Sequence, residues 1–169
     1  MDRIALTYQL ARHGEVFRAL LADMPSAIAR WKPAPEKWCA LEVLCHLHDE
    51  ECEDFRARLK LVLETPEALW PKIDPTAWVM ERKYIDQEFN TVLERFLTER
   101  SRSVEWLRGM TDPPWTNAYM HPKVGPVSCD LLLTNWVAHD LHHLRQLIRL
   151  RYAYLEENTS VPLDYAGTW

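Results

Sequence analysis

The chain has no Cys-x-x-Cys pair, no surplus of basic charge and no long apolar run, and each absence removes a class of function. Its four cysteines, Cys39, Cys45, Cys52 and Cys129, are scattered. Cys45 and Cys52 fall two turns apart on one expected helix, too far for a disulfide, so the thiols are expected reduced, buried or half-buried, and structural. The 20 Lys and Arg are outnumbered by 25 Asp and Glu, a net charge of -5. A protein that neutralises nucleic-acid phosphates needs the opposite balance, so no nucleic-acid partner is expected. No stretch approaches the ~20 apolar residues of a membrane span, so no membrane partner is expected either. The opening Met-Asp-Arg-Ile-Ala-Leu begins an amphipathic helix and lacks the basic and apolar regions of a signal peptide; the expected compartment is the cytoplasm. No catalytic triad or nucleophile elbow is recognisable, so no catalytic residue is assigned.

What is there is helical periodicity. With 169 residues, 47% hydrophobic and 27% charged, the chain suits one soluble globular domain over 1–169. Strand-like alternation is almost absent. A first helix is expected over about 3–23, striped by Leu6, Leu10, His13, Phe17, Leu20 and Leu21 and stopped at Pro25. A Trp/Pro-rich connection (Trp31, Pro33, Pro35, Trp38) leads to a second helix over about 40–63, lined by Leu41, Leu44, Cys45, His48, Cys52, Phe55, Leu59 and Val62. Pro66, Pro71 and Pro75 make 64–78 an ordered loop. The third helix is expected over about 81–108, with Ile85, Phe89, Val92, Phe96, Ser103, Val104 and Leu107 as its stripe and Gly109 at its C-cap. Residues 110–127 read as irregular, and Ser128 as the N-cap of a fourth helix reaching about 152. The tail, 155–169, reads as loop or short turn. Four such helices predict an all-α four-helix bundle with long ordered loops. Connections of roughly 14–19 residues allow crossovers, or loops that roof one end.

The chemistry concentrates in His139-Asp-Leu-His142-His143-Leu-Arg-Gln146. His139 and His143 are four apart, which stacks two imidazoles on one helical face, a ready chelate for a zinc-like metal. His142 points away from the apolar centre and is expected in solvent. A third ligand must come from another helix, and the second offers His46 and His48. On a helical wheel His48 lies on the apolar stripe and His46 on a more polar side.

The segment Glu42-Val43-Leu44-x-His46-Leu47-x-Asp49-x-Glu51, followed much later by His139-Asp140-x-x-His143-x-x-Gln146, resembles the DinB-like (YfiT-like) superfamily of metal-binding four-helix bundles. The resemblance extends to Trp31-x-Pro33-x-Pro35-x-x-Trp38 and to His121-Pro122-x-x-Gly125-Pro126-Val127, and so covers nearly the whole chain. It implies His46, His139 and His143 as the metal ligands, against the wheel's preference for His48. It also implies a divalent metal, zinc or nickel ahead of iron or copper. The implied function is S-transfer with a low-molecular-weight thiol as co-substrate and an electrophile as second partner, in detoxification or stress response. Metal-dependent hydrolysis and a non-catalytic metal-binding bundle are the alternatives, and a homodimer is the expected assembly.

Ligating imidazoles usually donate their second N–H to a carboxylate or carbonyl. Glu50 and Asp140 are the nearest candidates, with Asp49 and Glu51 as alternatives. His13 is expected as a core or cleft-lining residue, and His121 as a surface turn or a cover over a pocket. Trp70, Trp78, Trp115 and Tyr119 either pack the bundle ends or wall a pocket for an apolar electrophile.

Overall fold

A computed structural model describes residues 2–167. In chain order its helices are α1 (Arg3–Leu21), α2 (Ser26–Ala29), α3 (Ala40–Asp49), a π-helical turn (Glu50–Phe55), α4 (Arg56–Glu64), α5 (Pro75–Glu81), α6 (Phe89–Gly109) and α7 (Cys129–Glu157). α3, the π turn and α4 form one continuous rod. That rod, α1, α6 and α7 are the four members of an all-α bundle.

Cross-helix pairings fix the direction of each member. α1 and α7 run parallel: Arg3 bonds Asp130, His13 meets Asp140 and Arg151 donates to the Leu20 carbonyl. α1 and α6 run antiparallel, since Leu10 meets Arg100 and Phe17 meets Phe96. The rod runs parallel to α6: Cys45 lies beside Val92, whereas Glu51 and Arg56 reach Arg100 and Ser103. The rod runs antiparallel to α7, with His46 against His143 and Glu51 against Trp136. The order is therefore up, down, down, up. Because the rod and α6 are successive members of the bundle and run parallel, residues 65–88 must travel back along it. The proline-rich segment is that crossover, and its α5 packs on α3.

The core has two apolar layers. One gathers Phe17, Leu21, Leu41, Leu44, Phe96 and Leu147; the other gathers Leu10, Leu59, Val62, Val104, Leu133 and Trp136. Between Phe96 and Val104 on α6 sits buried Arg100. Its guanidinium donates to Glu51 at 2.8–3.1 Å, to Asp140 at 2.6 and 2.8 Å and to the Leu10 carbonyl at 3.1 Å. One cation thus ties three of its neighbours together. Gly14 lets α1 close on it, since a Cβ there would stand 3.2 Å from Arg100 Cγ.

Several expected boundaries shift. The second helix is not uniformly α: one wider turn over Glu50–Phe55 interrupts it and brings Glu51 inward. The third begins at Phe89, not 81, because Lys83 adopts a left-handed conformation (φ 48°) that ends α5, and Glu88 then caps α6. Ile85 is consequently half-exposed rather than part of the stripe. The stretch 64–78 is a loop only until Pro75, where α5 starts under an Asp74 cap. The irregular 110–127 segment contains an antiparallel hairpin, β1 (Ala118–His121) with β2 (Gly125–Ser128). Gly125 supplies a positive φ of 80° after its turn. Ser128 caps α7 as expected, accepting from Leu131 N–H, but α7 runs on to Glu157. The tail then makes a 3-10 turn over Asp164–Ala166, and its last residues, 168 and 169, lie outside the described residues. Among the described residues no helix is long and apolar enough to cross a membrane.

Candidate metal centre

α3 and α7 meet at three imidazoles. The helix carrying His46 starts at Cys39, whose N–H is capped by the Glu42 carboxylate at 2.9 Å, itself bonded to Lys32. The antiparallel α7 presents His139 and His143 on adjacent turns. His46 Nε2 lies 3.2 Å from His139 Nε2, and His143 Nε2 lies 3.1 Å from the same atom. One ring nitrogen from each residue lies within 4.8 Å of the others. Tetrahedral donors at Zn–N lengths of 2.0–2.1 Å stand about 3.3 Å apart, so the spacing suits a shared divalent ion.

Proton bookkeeping points the same way. His143 Nδ1 donates to Gln146 Oε1 at 2.8 Å, which leaves the His143 Nε2 lone pair directed at the cluster. His139 Nε2 carries at most one hydrogen but faces two partners. Without a hydrogen it opposes the His143 lone pair, and with one it can aim at only one of its two partners, so the two contacts cannot both be ordinary hydrogen bonds, a conflict that a cation relieves. His46 Nδ1 is buried without a partner.

Burial, reinforced by the charge of neighbouring His143, pulls His46 down to about 3. Burial does the same to His139, also about 3, with His143 and His46 adding to it. For His143 burial dominates, opposed by the Gln146 bond, and the value is about 4. All three are neutral at pH 7, the form that binds metal. In the metal-free protein, these depressed values mean that the unfolded chain binds more protons below pH ~6.5. Stability is therefore present above that pH and is lost as pH falls towards 3–4. The thermal midpoint of metal-free protein is expected to drop by several degrees across that window; a flat profile in calorimetry would contradict the burial of the trio.

The other candidates lie elsewhere. His48 faces away, bonded to Asp49 at 2.9 Å and near Cys52. His13 bonds Asp140 at 3.1 Å. His121 closes the hairpin turn, accepting from Lys123 and Val124 N–H. His142 is exposed. None of the four carboxylates expected behind the histidines is bonded to one of the trio. Asp140 and Glu51 serve Arg100; burial opposes the charge of Asp140, but Arg100 and His13 hold its carboxyl below the ordinary range. Asp49 takes Tyr84, His48 and Arg82. Glu50 is buried, with one oxygen unpartnered, and burial and Asp54 push it up to about 8. Trp70 stacks on Tyr119 at 4.4 Å, Trp115 carries Arg3 and Trp78 carries Arg82, so these aromatics pack against local partners. The described cysteines are all free thiols.

Among the described residues the rings that touch the trio are Trp38, 5.1 Å from His46, Phe55, 5.0 Å from His139 and stacked on Trp136, and exposed His142, 5.2 Å from His143. The π turn is what carries Phe55 there, since an added residue in one turn rotates the rod beyond it. Gln146, at i+3 from His143, is the polar residue that orients it. Its spacing is visible in the sequence; its role depends on both side chains facing α3.

No curated protein matches the chain. Among solved structures it is similar to YfiT from Bacillus subtilis, described as a probable metal-dependent hydrolase with an unusual four-helix bundle topology. The TM-score is 0.79 at 18% identity, over 89% of this chain and 86% of that one, a likeness of fold. The family model of the DinB superfamily matches residues 9–147, a span that holds all three histidines, Arg100 and Gln146. On that match, over most of its length, the chain belongs to the DinB superfamily.

Proposed function

We propose that His46, His139 and His143 hold one divalent metal ion, and that the protein is a metal-dependent S-transferase using a low-molecular-weight thiol. The observation that carries this reading is three neutral imidazoles, His46 and His143 buried and His139 half-buried, with ring nitrogens within 4.8 Å of one another and, among the described residues, no carboxylate bonded to any of them. A bound divalent ion would lower the pKa of a thiol from ~8.5, making thiolate available at neutral pH. The chain's own thiols do not suit that role, because burial pushes Cys45 and Cys52 up to about 12 and Cys129 up to about 11. The nucleophile would therefore come from solution. Hydrolysis is helped by a base positioned on the water; Asp140, Glu51 and Asp49 are engaged with Arg100, Arg82 or Tyr84, and Glu50, though one of its oxygens is unpartnered, is bonded to none of the trio. That disposition favours thiol over water. Imidazole donors suit zinc and nickel alike.

The fold likeness to YfiT favours one second reading, hydrolysis at the same ion. The discriminating experiment offers zinc- or nickel-loaded protein a panel of small thiols and a chlorinated aromatic electrophile. The expected product is the thioether, formed as C–S replaces C–Cl and chloride leaves, and nothing is expected to react without thiol. Thiol-independent ester or amide hydrolysis would replace the transferase reading by the hydrolase; metal binding with neither reaction would leave a non-catalytic binder.

Gln146→Leu removes the acceptor that fixes the His143 tautomer. It is expected to weaken metal binding by about 10–100-fold, measured by competition with a chromogenic chelator, with helix content unchanged by circular dichroism.

A further inference from the structure

A cleft of about 1030 Å³ opens between the Trp/Pro connection and the second half of α7. That is at the upper end of small-molecule pockets. Its walls adjoin the histidine trio. Trp38 lies against His46, Gln146 accepts from His143, and the His142 ring meets that of His143 at 5.2 Å; all three residues line the cleft.

Lys37, Arg145 and Arg149 line it as well. On a chain of net charge -5 this grouping needs a reason. Eight of the 20 Lys and Arg, among them Arg56, Arg82 and Arg100, hold a carboxylate within ion-pairing distance, and among the described residues the others do not. Among the described residues Lys37, Arg145 and Arg149 hold none. Arg145 instead approaches His142 Nδ1 at 3.4 Å. Arg145 and Arg149 are one turn apart on one helix, where like charges repel and cost stability. Among the described residues the carboxylates lining the cleft are Glu156 and Asp164. At 1.5 Å per residue, Arg145 and Arg149 stand about 3 and 9 Å along the axis from His143, and Glu156 about 20 Å. Arg145 and Arg149 thus set two positive charges towards the histidine end, with Glu156 at the other.

We propose that this cleft binds a small acidic reactant, with Lys37, Arg145 and Arg149 gripping its carboxylate or phosphate groups and laying its reacting end towards the histidine trio. The word reactant rests on the metal-centre reading above; the anion recognition rests on the cleft. Guanidinium forks match both acidic groups bidentately. Three separated cations suit a molecule with more than one acidic group, and Glu156 turns such groups away from the far end.

The test titrates cobalt(II)-loaded protein at low ionic strength with mercaptosuccinate, which has two carboxylates, and with 2-mercaptoethanol, which has none. Thiolate ligation is read from charge-transfer absorbance. Mercaptosuccinate is expected to bind at least about tenfold tighter, a preference that salt weakens. In the double variant Arg145→Gln, Arg149→Gln the preference should vanish, while cobalt stoichiometry and 2-mercaptoethanol affinity stay as they were and the thermal midpoint does not fall, since a like-charge repulsion is removed. Equal affinities in the unmodified protein, or a preference that survives both substitutions, would overturn the proposal. If cobalt does not bind, the metal reading fails by itself. The anion site is then judged on metal-free protein by saturation-transfer NMR with succinate and inorganic phosphate. Saturation transfer to either anion that disappears in the double variant supports the site. No transfer in the unmodified protein, or transfer that persists in the variant, overturns it. The anion that saturates at lower concentration identifies the acidic group.

Discussion

His143→Ala is expected to lower metal affinity by more than about 100-fold, beyond the loss from disturbing an orienting partner, and to leave the bundle folded. The ring contributes one of three convergent nitrogens and the one whose tautomer is fixed by Gln146. Two donors remain, and two make only half of a tetrahedral shell. Alanine is the best helix former, and position 143 lies inside the long α7, so the backbone has no reason to yield. The measurement is a thermal shift with and without metal. At a metal concentration of 1,000 times Kd, binding stabilises the unmodified protein by about 4 kcal/mol, or roughly 8–16 °C for a chain of this size. The variant should show almost none of that shift while melting, metal-free, close to the parent. A variant that keeps the parent's shift would remove His143 from the ligand set. One that fails to fold at all would point to a structural ion.

Arg100→Met is expected to cost about 3–5 kcal/mol, a fall in thermal midpoint of roughly 10 °C. The cation is buried at the level where the two apolar layers meet, and it is the shared partner of Glu51 and Asp140. Its removal strands two carboxylates, of which Asp140 is fully buried. His13 alone remains to face Asp140, and Trp136 N–H alone to face Glu51. Arg100→Lys keeps the charge but replaces a fork that reaches two carboxylates by a single ammonium. It should recover only part of the loss. Because Asp140 adjoins His139 and Glu51 leads into the turn that carries Phe55, metal affinity should fall with stability in both variants. Equal stability of Arg100→Met and the parent in urea titrations would show that the triad is not what joins the helices.

These two sites differ in how far the sequence announces them. The pair His139 and His143 is legible because a helix fixes i, i+4 geometry locally, and the same logic sends His142 outward, where it lies. His46 is not legible from periodicity. The wheel favours His48 because it assumes one apolar stripe, yet Ala40–Leu47 is buried on every side, between α6, α7 and the crossover. A helix covered all round has no polar face, so the wheel loses its meaning; only the family resemblance singles out His46. Arg100 leaves a faint trace: it interrupts the buried series Phe96, Ser103, Val104, Leu107 at helical spacing. A charge in the middle of a core stripe signals a buried partner, but not which one. The π turn and the short hairpin leave no trace, since one widened turn carries no residue signature and four-residue strands are too short for alternation to register.

Composition and spacing by themselves determined the helical class, the placing of the His139 and His143 imidazoles on one face of α7 and the exclusion of membrane-spanning helices, because each follows from neighbours in the chain. Only the tertiary structure decided that His46 rather than His48 meets them, that Gln146 and not a carboxylate backs His143, and that the acids near the site serve Arg100, Arg82 and one another. Those outcomes depend on the rotation of one helix against another, which is set by packing between residues far apart in sequence and is written in no single segment.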